Sequence, residues 1–149
     1  MKRISLYSLK LVKEKSRLYN VDTVTIKQPE DMYTIVSTVL NLQFESVEHF
    51  GILALNAKNL VVGLHVLAIG TIDAAIINQR EIFKAALLNN ASYVIMFHNH
   101  PSGDPTPSQD DITVTKQMEL AGQIMGIPIL DHIIIGESSF VSLRETHAI

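Results

Sequence analysis

The run Met96–Asp111, "MFHNHPSGDPTPSQDD", crowds two histidines, three prolines and three aspartates into sixteen residues directly after an apolar stretch. That stretch, "SYVIMFH", is short, continuous and apolar, the pattern of a strand buried on both faces. At a strand end, residues i and i+2 point to the same side, so His98 and His100 can project together with Asn99 opposite. Two converging imidazoles suit Zn²⁺, which binds histidine nitrogens at ~2.0–2.1 Å. A catalytic zinc takes a third protein ligand and leaves one position open for water. Pro101, Pro105 and Pro107 stiffen the following loop, Gly103 permits a turn, and the loop can deliver Asp111 on the first turn of the next helix. A carboxylate there would complete a His₂Asp set. Each part also has a plainer reading. An H-x-H pair can be incidental, and Ser108-x-x-Asp111 also fits a helix start in which Ser is the N-cap and the acid sits at N3.

The elements that must hold these residues are legible from periodicity. "ISLYSLKLV" alternates loosely and reads as a strand; "QPEDMYTIVSTVLN" reads as a helix, with Pro29 in its first turn and acids behind it. "EHFGILALN" and "LVVGLHVLAIG", separated by "AKN", predict a β-hairpin. "NQREIFKAALLNN" predicts an amphipathic helix with Ile82, Ala85, Ala86 and Asn89 on one face. After the proline-rich loop a second such stripe, Val114, Met118, Ala121 and Met125, runs to Gly126, a residue suited to a helix C-terminus. "PILDHIIIG" and "SFVSL" close the chain as strands. Interleaved helices and hairpin-like pairs predict an α/β chain with a mixed sheet and helices on its faces.

His98-Asn99-His100-Pro101, six residues, then Ser108-Gln109-Asp110-Asp111 resembles the JAMM motif of MPN-plus metalloproteases, H-x-H-P-x6-S-x2-D. The flanking blocks "GTIDAAIINQREIFKAALLNNASYVIMFHNHPSGDPTPSQDDI" and "AGQIMGIPILDHIIIGESSFVSLRE" are similar to the bacterial RadC-like branch, in which Asn at the middle of the motif is usual. The resemblance covers roughly residues 28–146. The longer members carry a helix-hairpin-helix region, which is not expected within these 149 residues. The resemblance implies a cytidine-deaminase-like three-layer α/β/α sandwich. It implies His98, His100 and Asp111 as zinc ligands and Ser108 as the serine that steadies the tetrahedral intermediate. It also implies an upstream glutamate at the start of a strand: Glu48 in "EHFGILAL", with Glu45 as the rival. Zinc-activated water would then hydrolyse a peptide or isopeptide bond, with Glu48 as general base and then acid.

Other polar residues carry less. His132, after Asp131 at the start of a strand, reads as a structural histidine, since a fourth protein ligand would fill the water position. Arg80-Glu81 reads as a helix start with an ion pair or an acid favoured by the helix dipole, ahead of a substrate-binding role. His49 falls on the opposite strand face from Glu48, and His65 and His147 have no evident partner.

Composition limits the classes of function. The chain has 149 residues, is 47% hydrophobic, and so can build one core as a single domain. It has no cysteine, which excludes thiolate metal sites and the P-C-x-x-C signature of the nucleobase deaminases that share this kind of fold. No apolar run approaches the ~20 residues needed to span a bilayer, and the start lacks a signal-peptide pattern, so a cytoplasmic protein with no membrane association is expected. The net charge of -3 is uneven: residues 1–27 carry seven Lys/Arg against two acids, and residues 28–149 carry five against thirteen. That basic N-terminal arm, or edge strand guarded by lysines, is the one feature that would serve the DNA-repair label the RadC-like family carries. The expected partner is otherwise a peptide or protein substrate.

Overall fold

Local chemistry sets the ends of each element. The computed structural model describes residues 4–6, 8, 10–14, 18–21, 23–70 and 77–149. Helix α1 (Pro29–Leu40) starts where the Asp31 carboxylate accepts the backbone N–H groups of Lys27 and Gln28, at 2.8 and 3.1 Å, and stops at Asn41, whose φ of 54° is left-handed. A single 3-10 turn (Leu42–Phe44) leads into β1 (Glu48–Leu55). The hairpin to β2 (Val61–Gly70) turns on Asn56, whose side chain accepts from the N–H groups of Lys58 and Leu60, and on Asn59 with φ 58°. Helix α2 (Gln79–Leu88) is capped by the Asn78 side chain, and α3 (Gln109–Met125) by Ser108 at its start and Gly126, φ 69°, at its end. Strands β3 (Tyr93–Asn99), β4 (Ile129–Ile135) and β5 (Phe140–Ser142) complete the chain.

The five strands form one mixed sheet in the order β2-β1-β3-β4-β5. All neighbouring pairs are antiparallel except β3 with β4. A parallel pair requires a crossover, and α3 provides it. Alternation along the central strands divides two cores. Phe50, Ile52, Val94 and Met96 meet Ile82, Ala86, Val114 and Met118 of α2 and α3 on one face. Leu53, Leu55, Ile95, Phe97, Ile133 and Ile135 meet Met32, Ile35 and Val36 of α1 on the other. The result is the expected three-layer α/β/α sandwich. At the centre of β1 only glycine fits: a Cβ at Gly51 would lie 2.4 Å from the Phe97 ring and 2.2 Å from the His65 carbonyl oxygen.

Two expectations change. The described residues of the Ile4–Val12 stretch belong to no strand, and Ile4, Leu6 and Val12 expose 93%, 98% and 80% of their surface. Alternation there is loose, and the described pairing next to β2 is the single bridge Thr25–Leu60 instead. Tyr7, Leu9 and the basic residues Lys2, Arg3, Lys15 and Arg17 lie outside the described residues, as does the 71–76 part of the motif-bearing block. The helical stripe also ends early: Val114 and Met118 are buried, but Met125, past the sheet's cover, is 43% exposed.

Candidate metal centre

The β3–α3 junction is where strand and helix ends supply polar groups. His98 is the penultimate residue of β3, on the face that packs against α2 and α3, and it is buried. His100 follows the strand end, with its backbone N–H held by the Ile135 carbonyl at 2.9 Å. Asp111 is the third residue of α3. The ten residues between His100 and Asp111 are held by polar groups. Thr106 donates twice to the Asp104 carboxylate, Gly103 N–H reaches the His100 carbonyl at 2.9 Å, and Glu137 N–H reaches the Gly103 carbonyl at 3.0 Å. Pro105 biases Asp104 towards extended backbone, and the Asp104 carbonyl accepts a hydrogen bond from His100 Nδ1 at 2.9 Å.

The three side chains converge. His98 Nε2 lies 3.0 Å from His100 Nε2 and 3.3 Å from Asp111 Oδ1, and His100 Nε2 lies 3.4 Å from Asp111 Oδ2. Ligand atoms at the corners of a zinc tetrahedron with bonds of ~2.0–2.1 Å stand roughly 3.3 Å apart. The cluster therefore fits a small divalent ion and could bind one. Its electrostatics point the same way. Burial works to raise the Asp111 carboxyl, but hydrogen bonds from His100 and His98 outweigh it and hold the group well below the usual carboxylate range. The bond to Asp111 in turn raises the His100 imidazole against burial, helped by the Asp104 carbonyl and by the charges of Asp111 and Glu48.

Ser108 and Asp111 form the capping box as well. Ser108 Oγ accepts from Asp111 N–H at 3.1 Å, and Asp111 Oδ2 accepts from Ser108 N–H at 2.7 Å. The capping and ligand readings of the sequence are thus compatible: one carboxylate oxygen anchors the helix start while the carboxylate faces the histidines. Glu48 opens β1, and the register Phe50↔His98 carries it level with His100. Asn99, on the opposite face from the histidines, is buried and clamps that strand end. Its Oδ1 accepts from His49 N–H at 2.7 Å and its Nδ2 donates to the Val47 carbonyl at 3.1 Å, so the two bonds straddle Glu48. Glu45 sits at the end of the 3-10 turn, exposed and before the strand.

The family description "RadC-like JAB domain" matches residues 26–148. The chain belongs to the RadC-like JAB domain family. It is 44% identical over 140 residues to a UPF0758 protein of Geobacillus sp. WCH70, covering 94% of this chain and 61% of that one. A UPF0758 protein of Caldanaerobacter subterraneus is 42% identical over 124 residues, 83% of this chain and 52% of its own. One from Shouchella clausii is 48% identical over 120 residues, 80% of this chain and 51% of its own. The chain thus spans between about half and three-fifths of the length of these curated relatives, whose names state no activity.

Within this RadC-like JAB domain, the remaining singled-out residues fall into place. His132 is fully buried and held by hydrogen bonds: Nε2 is 2.8 Å from His98 Nδ1, and Nδ1 is 2.6 Å from Thr115 Oγ1. Burial, then the charge of His98, keeps its ring well below the ordinary histidine range. The Asp131 carboxylate accepts from Ser142 Oγ, Arg144 N–H and His132 N–H, and burial raises it against those bonds. His65 does have a partner, Asn89 Nδ2 at 2.6 Å. Glu81 pairs with Lys84 at 2.7 Å, on the surface, rather than with its neighbour Arg80. Thr115 and the clamp role of Asn99 were not legible beforehand. Thr115 sits one turn after Asp111, and i, i+4 spacing was the available signal. Among the described residues, no helix is long and apolar enough to cross a membrane.

Proposed function

We propose that this domain is a zinc-dependent hydrolase that cleaves a peptide or isopeptide bond in a protein substrate. The observation that supports it most is the convergence of three side chains, with nitrogens and carboxylate oxygens 3.0, 3.3 and 3.4 Å apart, beside a glutamate whose charge acts on His100. Zinc held by His98, His100 and Asp111 would supply Lewis acidity, bringing the pKa of bound water towards ~7 and polarising a carbonyl.

The chain's own groups do the rest. Glu48 accepts the proton of the attacking water as its oxygen bonds to the scissile carbonyl carbon. Glu48 then delivers that proton to the amine as the C–N bond breaks. Ser108 Oγ is the acceptor in its bond to Asp111 N–H. Its hydroxyl hydrogen is left to donate to the developing oxyanion. Asn99 holds the strand end that carries Glu48.

The test is a peptide and isopeptide library offered to zinc-loaded wild type and to Glu48→Gln, with zinc per chain measured for both. Cleavage by wild type and a loss of about 10²–10⁴-fold in Glu48→Gln at equal zinc content is expected. Equal zinc content with no cleavage by either protein overturns the hydrolase reading and leaves a metal-stabilised module. In that case binding of the basic N-terminal segment to DNA, read as affinity that falls steeply with salt, becomes the alternative to pursue.

A further inference from the structure

A metal-binding imidazole must carry its proton on the ring nitrogen that faces away from the metal. For His100 a backbone carbonyl settles this, because Asp104 O can only accept from Nδ1. For His98 the partner is His132, another imidazole, which can donate or accept. We propose that Thr115 and His132 form a directional hydrogen-bond relay that fixes His98 as its Nδ1–H tautomer and so presents its Nε2 lone pair to the metal. The purpose of the relay rests on the metal-site reading above; the order of its hydrogens rests on contact geometry and on the burial of His132.

The order starts at Thr115. Its Oγ1 lies 2.6 Å from the Asp111 carbonyl oxygen and 2.6 Å from His132 Nδ1. At such distances each contact must contain a hydrogen, since two facing lone pairs repel. The hydroxyl has one hydrogen, and a carbonyl has none to give. Thr115 therefore donates to Asp111 O, and His132 Nδ1–H donates to Thr115. The nearest carboxylate along the chain, Asp131, is engaged by Ser142, Arg144 and the His132 backbone rather than by the ring. The fully buried ring is then neutral, and its Nε2 accepts from His98 Nδ1–H. The remaining nitrogen of His98, Nε2, faces His100 and Asp111 and is the one left to give up a proton to a metal. The chain of bonds begins at one metal ligand and closes on the backbone of another. The reverse order would put a proton on His98 Nε2, where the metal has to bind.

Long-range ¹H–¹⁵N NMR of the histidine rings reads the tautomers directly. The samples are metal-free and zinc-loaded wild type, Thr115→Ser and Thr115→Val near pH ~8.5, above the ordinary histidine range. Zinc affinity is read by chelator competition. His98 and His132 are both expected to be protonated at Nδ1 in wild type and in Thr115→Ser. Thr115→Val is expected to lose the Nδ1 preference of His132 and to bind zinc about 10–100-fold more weakly. His132 protonated at Nε2 in wild type overturns the relay, as does a folded Thr115→Val with wild-type tautomers and zinc affinity. If Thr115→Val does not fold, the wild-type and Thr115→Ser tautomers decide. Expected tautomers with no zinc bound would uphold the hydrogen order and count against the metal reading instead; zinc bound with Nε2-protonated His132 would do the reverse.

Discussion

At the residue scale, the metal-free site is a competition between burial and charge. Asp111 faces two imidazoles, and its hydrogen bond raises the His100 ring. A histidine whose folded pKa is raised binds its proton more tightly folded than unfolded. Its stabilising effect is complete below the unfolded value of ~6.5 and is lost as pH rises through the higher folded value. Metal-free wild type should therefore exceed His100→Ala in stability at pH ~6, and the gap should shrink towards pH ~9. Urea unfolding of both proteins at the two pH values measures it. A gap that widens with pH would contradict the raised pKa. The candidate ligand residues were the most legible part of the sequence, because H-x-H at a strand end and S-x-x-D at a helix start are both local patterns. His132 was legible only as a buried histidine. That it reaches His98 depends on β4 lying beside β3 in parallel, which neighbours in sequence do not reveal.

At the scale of elements, the site depends on two close approaches. Asn99 straddles Glu48 with two hydrogen bonds from a buried side chain. Asn99→Ala leaves Val47 O and His49 N–H without those partners and should cost about 1–3 kcal/mol in stability. On the proposed mechanism it should also lower kcat more than it changes zinc affinity, which steady-state kinetics and chelator competition separate. Gly51→Ala drives a methyl into the Phe97 ring and the His65 carbonyl. Overpacking of this kind costs about 1–3 kcal/mol, and here the β1–β3 pairing that sets Glu48 against His100 should suffer with it. Denaturant midpoints of wild type and variant check this. The strands around the site were legible because each has a compact apolar run with turn residues at its ends. The described residues of the Ile4–Val12 stretch join no strand despite the alternation, and alternation alone does not make a sheet.

At the scale of the whole molecule, the fold class was legible from interleaved elements, but the strand order was not. The β1–β2 and β4–β5 hairpins pair strands joined by short turns; β1 with β3 and β3 with β4 are joined across α2 and α3. A ligand that binds only the folded chain stabilises it by about 2.7 kcal/mol at one hundred times its Kd. For a chain of this size that corresponds to roughly 5–10 °C in Tm. Zinc should raise Tm by that order and a chelator should reverse it, whereas His98→Ala and Asp111→Ala should show little response. Scanning calorimetry with and without zinc measures it.

The parallel β3–α3–β4 unit holds every ligand in the cluster and both members of the relay, within residues 93–135, whereas the glutamate arrives from the neighbouring hairpin on β1. On the proposed function, holding the ion and moving the proton fall to separate pieces of chain. A lineage that altered only the Glu48 end of β1 could abandon turnover and keep an intact ion-binding scaffold. One that altered the crossover would lose both capacities at once.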